Sequence, residues 1–179
     1  KEDAGNAIRQ LKNLGVKTTM MLSGDKKSIV EDVANKLNID LAYADLLPED
    51  KVYHIKQLKK DRDNVVTFVG DGINDAPALK TADVGIAMGS MGSDIAIDSA
   101  DIALMQDDIS KLPYLKRLSN ATVKTIKISI SLSMIINFLA IILSVIGALN
   151  PTTGALVHNA GSVFVVLFAA LLYDRKFDK

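Results

Sequence analysis

The chain contains no cysteine. Disulfides and thiolate metal sites are thereby excluded within it, and a reducing compartment is consistent with that composition. It carries no net charge, with 21 Lys and Arg against 21 Asp and Glu, so the balance points to no nucleic-acid partner. The opening residues Lys1-Glu2-Asp3 lack an apolar core, and no signal peptide is expected there. Internal repeats and low-complexity tracts are absent. The most telling deficiency is local. From Ile128 to Leu172 there is no Asp, Glu, Lys or Arg, whereas up to about Arg117 the chain is mixed and charged. Its 179 residues suffice for one ordinary domain and a small addition, and the two parts need different solvents.

In the charged part the most informative run is 65–79. Val65-Val66-Thr67-Phe68-Val69 is short, β-branched and uncharged, as a buried strand is. It breaks into Gly70-Asp71-Gly72, and a helix can start near Asn74 or Asp75, with Pro77 in its first turn. Carboxylates and glycines at a strand's end lie where an open α/β sheet places its chemistry. Asp71 and Asp75 offer the hard oxygens that Mg²⁺ takes when it also holds a phosphate. The alternative is an Asp-Gly turn with an Asn or Asp helix cap. Similarly, a strand over 16–22 runs into Ser23-Gly24-Asp25, where a hydroxyl and backbone N–H groups could hold a phosphoryl oxygen. The alternative there is an N-cap for the helix Lys27–Leu37.

Further strands are expected over 39–44, 84–88 and 101–105. Helices are expected over 4–14 and from Pro48 onward, with a helical turn over 94–99. Strands alternating with helices predict an α/β fold, a parallel sheet with helices on both faces. Lys51, Lys56, Lys59 and Lys60 form a lysine run, which ordinarily means a solvated face, and His54 beside them is not expected to be a ligand.

After Leu112-Pro113-Tyr114 comes a basic lead-in of Lys116, Arg117, Lys124 and Lys127. The uncharged run 128–149 would make about 33 Å of helix, enough for a bilayer core of about 30 Å. A polar turn over 150–154 separates it from a second uncharged run, 155–172, closed by Asp174-Arg175-Lys176. Basic residues flank only the outer ends, so the pair is expected to be a transmembrane hairpin with both ends cytoplasmic. Ser133, Asn137, Ala140 and Ser144 share one helical face, and Gly154, His158, Gly161 and Ser162 another. An ionisable residue inside a span is a functional-site candidate. His158 is therefore expected to contact a transported ion, with Asn137 and Ser162 as neighbours. Interhelical hydrogen bonding is the alternative.

Together these motifs resemble those of P-type ATPases. Gly70-Asp71-Gly72-Ile73-Asn74-Asp75-Ala76-Pro77 is similar to their hinge motif, Ser23-Gly24-Asp25 to their Thr-Gly-Asp motif, and Pro48-Glu49-Asp50-Lys51 to their Pro-x-x-Lys motif. Ala82-Asp83-Val84-Gly85-Ile86-Ala87-Met88-Gly89 and Asp98-Ser99-Ala100-Asp101 follow in the family's order. Only two further spans follow, which resembles the heavy-metal branch. The resemblance implies a haloacid-dehalogenase-like phosphorylation domain over 1–118, two final membrane helices within 119–173 and a cytoplasmic tail at 174–179. It implies that Asp71, with Asp75, serves Mg²⁺, that Asn74 and Asp75 order the site, and that Ser23 and Gly24 hold the phosphoryl group. Asp25 would shape that loop and Lys51 would neutralise phosphoryl charge. ATP would be bound mainly by a nucleotide domain outside the chain.

The family's Asp-Lys-Thr-Gly-Thr motif, which carries the phosphorylated aspartate, does not occur here. The expectation is therefore a C-terminal piece of a multi-pass pump in the cell membrane, inactive alone. Its expected partners are a transition-metal cation, the lipid bilayer and the remainder of the pump. His158-Asn159-Ala160-Gly161-Ser162 resembles the His-Glu-Gly-Gly-Thr run of cobalt-type pumps, with Asn159 in place of the acid. Asn137 and His158 stand where zinc- and cadmium-type pumps carry lysine and aspartate. The transported metal is left open by these departures. A membrane-anchored phosphatase of the same fold and a non-catalytic membrane module are the competing readings. The first needs an Asp-x-Asp pair after an apolar strand, and none fits.

Overall fold

The computed structural model describes residues 2–70, 73–88, 97–105 and 108–173. Two compact units divide it, Lys1–Pro113 and Tyr114–Lys179. In the first, α1 (Glu2–Asn13), β1 (Met20–Leu22), α2 (Lys27–Leu37), β2 (Leu41–Tyr43) and α3 (Pro48–Leu58) alternate. β3 (Thr67–Gly70), a 3₁₀ turn (Ile73–Asp75), α4 (Ala76–Thr81), β4 (Val84–Met88) and β5 (Ile102–Leu104) follow. All pairings are parallel, β1 with β2 and β3-β4-β5 in that order. The expected α/β class with parallel strands is present. Among the described residues, however, β1 is bonded only to β2 and β3 only to β4, so each keeps one unpaired edge.

Three strands begin later than their apolar runs, and side chains account for two of the delays. Asp40 accepts from the Thr19 N–H and the Thr19 hydroxyl, both at 2.7 Å, and from Lys12 Nζ at 2.7 Å. This clip ends the approach to β1 at Thr19 and ties α1 to the strand pair. Asp83 accepts from the Val66 N–H at 2.9 Å and pairs with Lys59 at 2.8 Å, so β3 starts only at Thr67. Lys12, and then Thr19, hold the Asp40 carboxyl far below the usual carboxylate range. Lys59, and then the Val66 amide, lower that of Asp83.

The core is small and lies under the helices: Ala7, Val30, Ala34, Ile55, Ala78, Leu79, Ile86 and Ala87 are buried. α2 buries Val30 and Ala34, four residues apart on one face, and ends at Asn38 in the left-handed conformation with φ 55°. α3 opens with Pro48, and the Leu47 N–H donates to the Asp50 carboxylate at 2.9 Å. α4 lies so close on β4 that a Cβ on Gly85 would stand 2.6 Å from the Leu79 carbonyl oxygen. Of the turn expected over 94–99, residues 94–96 lie outside the described residues, as does the expected tail 174–179.

The second unit holds α5 (Lys111–Val145) from Tyr114 onward and α6 (Pro151–Ala170). Both are long and apolar enough to cross a membrane. The α5 helix starts well before the uncharged run and tolerates Pro113 because that residue falls in its first turn. It stops at Val145 rather than Leu149. Gly147 takes φ 80°, and the Ala148 and Leu149 N–H groups return to the Leu143 carbonyl at 2.9 and 3.1 Å. The turn therefore sits at 146–150, and the stretch expected to be a polar turn opens α6. Asn150 Oδ1 accepts from the Thr153 N–H at 2.8 Å while Thr153 Oγ1 accepts from the Asn150 N–H at 3.0 Å.

Candidate phosphoryl and ion sites

The end of β3 is shaped around one carboxylate. Among the described residues Asp75, at 7% exposure, is the buried charged one. It occupies the N-cap position of α4, but its side chain makes no cap bond. Instead its Oδ1 accepts from Lys51 Nζ at 2.7 Å, with both side chains less than a fifth exposed. The plain helix-cap alternative for Asp75 is therefore not what the side chain does. Gly70 makes the arrangement possible. A Cβ there would stand 2.7 Å from Asp75 Cβ and 2.9 Å from Oδ2, so glycine lets the strand end lie against the carboxylate.

The pair joins segments far apart in sequence. Lys51 comes from α3, which follows β2, and Asp75 from the turn after β3. It thereby ties one strand group to the other through the helices α3 and α4. Removing either partner would strand a largely buried charge, a loss of about 3–5 kcal/mol. Asn74 is exposed on the same turn. Asp71, the expected first Mg²⁺ ligand, lies outside the described residues.

The loop after β1 is bound to the loop after β2. The Ser23 N–H donates to the Tyr43 carbonyl at 3.0 Å, Leu46 N–H to the Ser23 carbonyl at 3.1 Å, and Asp45 N–H to the Asp25 carbonyl at 2.9 Å. Gly24 sits where a Cβ would be 3.2 Å from the Leu46 carbonyl oxygen. Within the loop, Ser23 Oγ donates to Asp25 Oδ2 at 2.9 Å, and Asp25 N–H donates to Ser23 Oγ at 3.2 Å. Neither residue caps α2, whose N-cap is Lys26 without a side-chain bond. The loop after β1 leads into α2 and the loop after β2 into α3, where Leu47 precedes Lys51 by four residues. Among the run of lysines, Lys59 is also no solvated bystander. It donates to the Thr81 carbonyl at 2.9 Å as well as pairing with Asp83. Asp101 is another scaffold carboxylate, accepting from the Gly85 N–H at 2.8 Å. His54 lies against the Tyr43 ring with centroids 4.1 Å apart and serves packing.

In the second unit the helices bring together two of the three ion candidates. His158 Nδ1 and Asn137 Oδ1 lie 2.9 Å apart. Ser162 Oγ donates to the His158 backbone carbonyl at 3.0 Å, as hydroxyls on helices do. The close approach centres on Gly161, where a Cβ would be 2.8 Å from Ile136 Cγ2.

A family profile described as haloacid dehalogenase-like hydrolase matches residues 1–83. A probable cadmium-transporting ATPase of Staphylococcus aureus (strain MRSA252) is 40% identical over 179 residues, covering 100% of this chain and 24% of that protein. A manganese-exporting P-type ATPase of Mycobacterium bovis is 39% identical over 177 residues, with 99% and 24% coverage. The crystal structure of a zinc-transporting PIB-type ATPase in its E2.Pi state superposes with a TM-score of 0.87 at 34% identity, covering 96% of this chain and 28% of that one. The chain thus spans about a quarter of the length of the curated relatives it matches.

Proposed function

Because the chain matches heavy-metal P-type ATPases along its whole length, we propose that it forms the C-terminal part of an ATP-driven transition-metal cation pump. Within that pump it supplies the receiving half of an Mg²⁺-dependent phosphoryl site, acting on an aspartyl phosphate carried outside this chain. The observation that carries the reading is the Lys51–Asp75 pair, 2.7 Å apart and largely shielded from water beyond the end of β3. An ammonium fixed there by a carboxylate is in place to meet phosphoryl oxygens without reorganising. The hydroxyl and amides at Ser23-Gly24-Asp25 would hold the same group. The unpaired edges of β1 and β3 leave a place for one more parallel strand, and the phosphorylated aspartate would sit at its end.

The donor set fits Mg²⁺. Asp75 offers a carboxylate, the hard oxygen that Mg²⁺ takes, and its charge is already balanced by Lys51, so the cation would arrive together with phosphoryl oxygens. Asp71 and Asp75 would hold the ion, with Asn74 ordering the turn. Bound there, Mg²⁺ would neutralise charge on the transferring phosphoryl group. Lys51 meanwhile keeps Asp75 oriented against Gly70, and the Ser23 hydroxyl would donate to a phosphoryl oxygen. ATP itself would be bound by a nucleotide domain outside these residues. The hairpin would cross the cell membrane with the phosphorylation domain cytoplasmic, and His158, with Asn137 and Ser162, would meet the transported cation.

In the full-length protein, Asp71→Ala is expected to abolish Mg²⁺-dependent ATP turnover. Lys51→Ala is expected to lower it by about 10²–10³-fold, as loss of one preorganised charge partner does elsewhere. Normal turnover and metal movement in Asp71→Ala would overturn the reading. Phosphatase activity in these 179 residues alone would favour the membrane-anchored phosphatase.

A further inference from the structure

We propose that Asn137 is a positioning residue that fixes the tautomer of His158, presenting the ring's Nε2 lone pair to a transition-metal cation. The inference rests on the reading above that His158 meets the transported ion, and adds what prepares it to do so. Asn137 Oδ1 and His158 Nδ1 are 2.9 Å apart across the hairpin. An amide oxygen carries no hydrogen, so in this contact the ring nitrogen donates. A neutral imidazole donating from Nδ1 has its lone pair on Nε2, since the hydrogen bond at one ring nitrogen sets the state of the other.

The surroundings make Asn137 the residue that does this. The Ser162 hydroxyl is directed to the His158 backbone carbonyl at 3.0 Å, not to the ring. Ile136, beside Asn137, packs onto Gly161, where a Cβ would be only 2.8 Å from Ile136 Cγ2. That contact brings the two backbones close enough for a short asparagine to reach across. No Asp or Glu occurs from 128 to 172, so the partner is a neutral amide. An unprotonated imidazole nitrogen suits Zn²⁺, Co²⁺ or Ni²⁺ rather than Mg²⁺ or Ca²⁺.

The test uses the full-length protein in lipid nanodiscs. Dissociation constants for Zn²⁺ and Co²⁺ are measured by chelator competition, and histidine tautomers by NMR with ¹⁵N- and ¹³C-labelled histidine, the His158 signals being those lost in His158→Gln. Asn137→Leu keeps the side chain's bulk but removes the acceptor. It is expected to abolish the Nδ1–H preference and to weaken metal binding by about 10- to 100-fold, the usual effect of losing a partner that orients a ligand. Asn137→Asp keeps an acceptor oxygen, and is expected to retain the Nδ1–H tautomer when the ring is neutral. If His158→Gln loses the metal while Asn137→Leu keeps both affinity and tautomer, the positioning role is overturned and the His158 reading stands. If His158→Gln binds metal unchanged, both fall. Loss of the tautomer in Asn137→Leu together with its retention in Asn137→Asp supports the proposal even where Asn137→Leu is less stable.

Discussion

Gly70→Ala adds a single methyl group, and the structure says where it goes. Its carbon would stand 2.7 Å from Asp75 Cβ, 3.0 Å from Cγ and 2.9 Å from Oδ2. These atoms belong to a carboxylate whose other oxygen is held by Lys51, so no flexible end can swing aside. Either the strand end shifts, at the 1–3 kcal/mol typical of an overpacked core, or Asp75 leaves Lys51. The second route leaves two poorly compensated charges and raises the loss toward about 5 kcal/mol. A urea titration of the chain in detergent, followed by far-ultraviolet circular dichroism, reads the difference. The control is the same change in an Asp75→Gly background, which removes every atom the methyl would strike. There Gly70→Ala is expected to lose most of its effect, giving a coupling of at least about 1 kcal/mol. A loss below about 0.5 kcal/mol in the parent, or full additivity with Asp75→Gly, would refute the claim that Gly70 is required by Asp75.

The lowered carboxyls of Asp40 and Asp83 set an acid limit. A group that resists protonation when folded contributes its full stability above the ordinary carboxylate pKa of about 4 and loses it as the pH falls below that. Urea midpoints should therefore drop between pH 5 and pH 3 by way of these residues (round values about that pKa), and Asp40→Asn with Asp83→Asn should flatten the decline. An undiminished drop in the double variant would assign it elsewhere. In the hairpin, Gly161→Ala is expected to destabilise by about 1–3 kcal/mol, and Ile136→Ala in the same protein to relieve it. A thermal melt in which Ile136→Ala only adds to the damage would disprove the contact.

The α/β unit was legible because its signals are local. Strand-end glycines, acids and a proline at a helix start are short-range features, and β1 ends before Ser23, α3 opens at Pro48 and β3 ends at Gly70. Less was legible wherever a long-range side-chain bond competes with a periodic pattern. The apolar run from Val16 looks like strand throughout, yet Asp40 takes the Thr19 N–H and shortens it. Lys59 looks like one lysine among several, and only its contacts with Asp83 and Thr81 set it apart. The hairpin turn was displaced for a similar reason. Hydropathy does not register that Gly147 can adopt a positive φ and close the helix early, nor that Asn150 and Thr153 cap each other. The Asn137–His158 pairing was foreseeable only as two residues on facing stripes. Its distance depends on Gly161.

The edges of β1 and β3 have a consequence for handling the protein. A parallel strand with one bare side presents its N–H and C=O groups to any extended peptide, and such edges invite association between copies. Among the described residues each strand is bonded on one side only, and β2 is exposed along its length. At high concentration these 179 residues alone should therefore self-associate through strands, not only through the apolar hairpin. A short synthetic peptide able to lie along β1 or β3 would compete with that association and keep the chain monodisperse.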